Sequence, residues 1–198
     1  MADSNDAGKG VCGTLTQFVE VKEVEDLIKD LPKVCQKPSD LEFQVERYKK
    51  LLDYYQAQPH LIDPHLSQLL EILVELTLTP ENPKLTHASS SFASHLIKVR
   101  GYKVVVRHLP HEVKFMEAVL QLLELQKGAS DDQWETRYFL ILWLSILVLI
   151  PFHLSRFDSG QAGDHATLMN RILNTIKVKN VYCNIEIFDD VQFNFIPG

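Results

Sequence analysis

Glycine is scarce where a β fold would need it. Of eight glycines in the 198 residues, only Gly101 and Gly128 fall between Thr14 and Ser159. A β-sandwich of that length needs a turn every 8–12 residues or so and far more turn glycines. Cysteine is scarce too: Cys12, Cys35 and Cys183 are an odd number and form no C-x-x-C pair. That excludes a disulfide scaffold and fits a reducing compartment. Positive charge is not in excess, with 20 Lys and Arg against 26 Asp and Glu for a net −6. Such a chain is poorly suited to general binding of a phosphate backbone. No long apolar run occurs. The most apolar stretch, Tyr138 to Ile150, holds 13 residues, whereas a bilayer span needs about 20. Glu135, Arg137, Arg156 and Asp158 flank it, so it reads as a helix buried on all sides. The polar, acidic start MADSNDAGKG does not have the pattern of a signal peptide. Absent also are G-x-x-x-x-G-K-[ST], G-x-S-x-G and H-E-x-x-H, common P-loop, hydrolase and zinc-protease motifs.

What is present is leucine, 28 of them, in helical spacing, which predicts an all-α chain. Residues 1–16 lack apolar periodicity and are expected to be disordered. Phe18, Val21, Val24, Ile28 and Leu31 mark a first helix from about Gln17 to Asp30. Ser39 with Glu42 forms a capping box for a second helix that carries Leu41, Val45, Tyr48, Leu52 and Tyr55. Asp63-Pro64 and Asn82-Pro83 each read as an N-cap followed by proline at the first helical position. Lys98 and Arg100 fall in the last turn of the helix that Asn82 starts, and Gly101 lies just past its end. Tyr102 to Leu109 is expected as a short helical turn. Pro110 opens the next helix, a box of Asp132 and Glu135 starts the buried one, and Asp164 starts a last helix through Leu173. From Lys177 the apolar pattern alternates as in a strand: Val181, Cys183, Ile185, Ile187, then Val191, Phe193, Phe195.

Helix starts near residues 40, 84 and 132 repeat at about the 40–47 residue period of HEAT-like helix pairs. The predicted architecture is a HEAT/armadillo-like α-solenoid fragment of about three helix pairs over residues 17–175, with a divergent tail at 176–198. An irregular helical bundle is the competing architecture. Chemistry is sparse. His108 and His111 are three apart, but Pro110 between them splays the rings, and a metal site wants three or four converging ligands. His153 and Ser155 lie near Asp158 without an oxyanion loop. No catalytic, metal or cofactor-binding residue is assigned. One basic stretch, Lys98, Arg100, Lys103 and Arg107, with no acid from His95 to His111, is the candidate partner-binding patch; compensation of a helix C-terminus is the slightly favoured explanation.

Several stretches, taken together, resemble the N-terminal part of the tubulin-specific chaperone D (tubulin-folding cofactor D) family. They are Gln58-Pro59-His60-Leu61-Ile62-Asp63-Pro64-His65-Leu66, Lys98-Val99-Arg100-Gly101-Tyr102-Lys103 and Pro110-His111-Glu112-Val113. Trp134-Glu135-Thr136-Arg137-Tyr138, Leu142-Trp143-Leu144-Ser145, Ile150-Pro151-Phe152, Ser155-Arg156 and Met169-Asn170-Arg171-Ile172-Leu173 follow in the same order. The likeness covers about residues 42–173. It implies a large cytoplasmic solenoid associated with microtubules, not itself an enzyme. Such a protein captures β-tubulin after the chaperonin and assembles the α/β heterodimer with the other tubulin-folding cofactors. It activates the tubulin GTPase with them and answers to an Arl-type small GTPase. Family members are longer, so the tail after Asn174 reads as a divergent end on a truncated chain. Such a form is expected to keep the first repeats and lose most of the tubulin-gripping surface.

Overall fold

The computed structural model describes residues 16–126, 133–149, 171–172 and 174–175. Helices α1 (Val21–Lys29), α2 (Leu31–Val34), α3 (Pro38–Asp53), α4 (Asp63–Thr77), α5 (Pro83–Arg100), α6 (Tyr102–Val105), α7 (Phe115–Leu125) and α8 (Trp134–Val148) follow in chain order. A 3-10 turn over Pro59–Ile62 leads into α4. Among the described residues there is no strand, and the expected strand-like tail, the expected start of the last helix at Asp164 and residues 1–15 of the segment expected to be disordered lie outside them.

The helices pair and stack. The short α1 and α2 pack on α3, α4 packs along α5, and α7 packs along α8. The second members of the three pairs then lie side by side, with α5 between α3 and α8, while α1 meets α4 in the other layer. The predicted starts near 40, 84 and 132 are the starts of α3, α5 and α8, at residues 38, 83 and 134. The period therefore marks one layer of the stack.

Helix α5 is the centre. It is buried over most of its circumference, with Leu85, Thr86, Ala88 to Ile97 and Val99 all buried. A helix can take neighbours on every side only if many of its side chains are small. Here Ala88, Ser89, Ser90, Ser91, Ala93 and Ser94 are those side chains. Three of the serine hydroxyls have partners. Ser89 donates to the Leu85 carbonyl at 2.9 Å or the Thr86 carbonyl at 3.1 Å, and Ser90 to Thr86 at 2.7 Å. Ser94 reaches across to the Glu135 carbonyl of α8 at 2.9 Å. Large residues sit where the pairs interlock: Tyr48 of α3 stacks on Phe92 of α5 with centroids 3.9 Å apart, and its hydroxyl donates to the Phe92 carbonyl at 3.1 Å. Such a ring pair adds about 0.5–1.5 kcal/mol beyond its burial. Burial pushes the Tyr48 phenol far above its ordinary range, so it stays protonated as that donor.

Both ends of α5 follow the sequence reading. The Asn82 side chain accepts from the Leu85 amide at 3.2 Å, and Gly101 closes the helix at φ +91°, a conformation costly for residues with a Cβ. Three other starts differ. Pro38 begins α3 after an extended Lys37, so Ser39 falls inside the first turn and makes no cap; its hydroxyl turns to Asp40 at 3.4 Å instead. The 3-10 turn runs straight into α4, which leaves Asp63 helical and its carboxylate free for Arg100. Helix α7 begins at Phe115, not at Pro110, whose carbonyl is held by the Trp143 indole N–H at 2.7 Å. For the buried helix, Gln133 occupies the N-cap position without a side-chain bond, and Asp132 of the expected box lies outside the described residues.

Replacing a small residue of α5 should overpack the stack. Ser89→Leu, at a fully buried position, is expected to cost about 1–3 kcal/mol in urea denaturation, whereas Glu71→Leu on the exposed face of α4 should stay within about 0.5 kcal/mol of the parent.

Candidate functional site

The four basic residues of the expected patch meet different neighbours. Lys98 and Arg100 are two apart on α5, roughly 200° around the helix, so they face different neighbours. Arg100 turns to α4, where its guanidinium grips the Asp63 carboxylate two-pronged through Nε and Nη2, the latter at 2.7 Å. That partner holds the Asp63 carboxyl below its usual range and raises the guanidinium in turn. Arg100 thus joins the two helices of one pair. Lys103 of α6 sits with its ammonium 5.8 Å from the Tyr102 ring centre, and Arg107 is exposed in the turn after α6. His108 meets the Ser67 hydroxyl at 2.8 Å and His111 lies 3.3 Å from the Leu109 carbonyl, so the two rings serve separate local contacts.

Lys98 instead faces a cleft of about 510 Å³ laid across all three helices of one layer. Each helix contributes a pair of residues four apart, which share a face: Lys49 and Asp53 from α3, Ser94 and Lys98 from α5, Trp134 and Tyr138 from α8. His95 and Glu135 complete the lining. The walls differ in kind. Trp134 is 54% exposed although it is a large apolar ring, and Tyr138 lies beside it with centroids 6.4 Å apart. Lys49 reaches Glu135 only loosely, at 3.9 Å.

His95 is the unusual member. Its ring is 7% exposed, and Nε2 lies 3.0 Å from an Asp53 carboxylate oxygen. That carboxylate is the polar group nearest the buried Nε2. Burial lowers the imidazole pKa, opposed by the Asp53 charge, so the ring is held neutral more firmly than a free histidine. Among the described residues no group of three or more metal-binding side chains converges. The cleft thus combines a charged rim of two lysines and two carboxylates with an aromatic wall.

Stacked helix pairs with their repeat period define an α-solenoid of the armadillo/HEAT class. Residues 52–186 match the family model for the tubulin-specific chaperone D-like ARM repeat, and the chain belongs to that family. It is 30% identical over 111 residues to the protein named tubulin-folding cofactor D of Schizosaccharomyces pombe (strain 972 / ATCC 24843), an alignment covering 56% of this chain and 10% of that protein. The chain therefore spans about a tenth of that relative's length. No solved structure matches it. Among the described residues no helix is long and apolar enough to cross a membrane.

The Asp63–Arg100 pair sets a pH dependence. A carboxyl whose pKa is lowered on folding contributes stability above its unfolded value, and that stability is lost as pH falls through the lowered one. The pair is partly exposed, so Asp63→Asn should cost about 0.5–1 kcal/mol at neutral pH. The difference from the parent should shrink below about pH 4, in denaturation curves followed by circular dichroism.

Proposed function

We propose that this chain is a non-catalytic binding segment of a tubulin-folding cofactor, with β-tubulin as its principal partner. The observation that carries this reading is the family match, which runs from the last two residues of α3 through α8 and so includes α5 and α8, two of the three helices that frame the cleft. The protein named tubulin-folding cofactor D supplies the functional class, and the solenoid supplies the means, since stacked helix pairs bind partners over an extended surface without chemistry of their own. On this reading the chain works in the cytoplasm, in contact with the microtubule system. The other tubulin-folding cofactors and an Arl-type small GTPase are further partners, and stimulation of tubulin GTP hydrolysis is a property of the assembled complex.

The test is capture of purified β-tubulin and of the other tubulin-folding cofactors by the immobilised 198-residue chain, beside a form ending at Leu173. Retention by both is expected, which would place recognition in the three helix pairs. Absence of retention by either, with both folded by circular dichroism, overturns the reading in favour of a segment with no independent binding. GTP hydrolysis by tubulin should rise with the chain only when the other cofactors are present.

A further inference from the structure

We draw no further inference here: the strongest candidate, the cleft between α3, α5 and α8, carries two lysines and two carboxylates around a neutral His95 whose Nε2 already lies 3.0 Å from Asp53, and nothing in the structure shows what covers it.

Discussion

Everything in this stack depends on how closely helices can approach α5. A helix flanked on one side needs only an apolar stripe; one flanked by α3, α4 and α8 at once needs small residues around much of its circumference. The serines of α5 meet that need at a cost, because each brings a hydroxyl into the core. The helix meets the cost internally, by donating back to carbonyls one turn earlier. Thr77 of α4 joins the same arrangement, meeting Ser89 at 2.9 Å and the Leu73 carbonyl at 2.8 Å. The polar residues at the centre of the core are thus part of its packing, and they fix the separation of the layers on which the cleft depends.

The links between neighbouring helices are of another kind. Arg100 with Asp63 joins α5 to α4, Tyr48 with Phe92 joins α3 to α5, and the Trp143 indole holds the turn before α7. Arg171 reaches Glu117 at 3.0 Å and Glu124 at 2.8 Å, so even the few described residues of the last segment are tied to α7. Each link is a directional contact laid over apolar burial. Repeat arrays draw their stability from such neighbour-to-neighbour interfaces.

The order of helices was legible in the sequence because prolines, leucine spacing and Gly101 are local signals. Asn82 and Gly101 bound α5 in the structure as their chemistry requires. Ser39 and Asp63 misled because a proline or a 3-10 turn next to them moved the start of the helix, a competition that residue type alone does not decide. The cleft was hardly legible at all. Its lining comes from three helices far apart in the chain, and only Lys98 belonged to the stretch that charge had marked. Proximity along the chain grouped Lys98 with Arg100, whereas helical phase separates them. A signal was nonetheless there: residue pairs four apart, Lys49 with Asp53 and Trp134 with Tyr138, repeat in successive members of one layer. It becomes readable only once the pairing order is known.

The two tryptophans of the chain occupy opposite environments. Trp143 is completely enclosed, with its N–H bound to the Pro110 carbonyl, while Trp134 stands half in solvent at the cleft. Their emission is accordingly separable: a shielded component that changes only when the stack comes apart, and a quencher-accessible component that changes when the cleft is covered. The molecule carries, without any label, one optical reporter of its integrity and another of its occupancy.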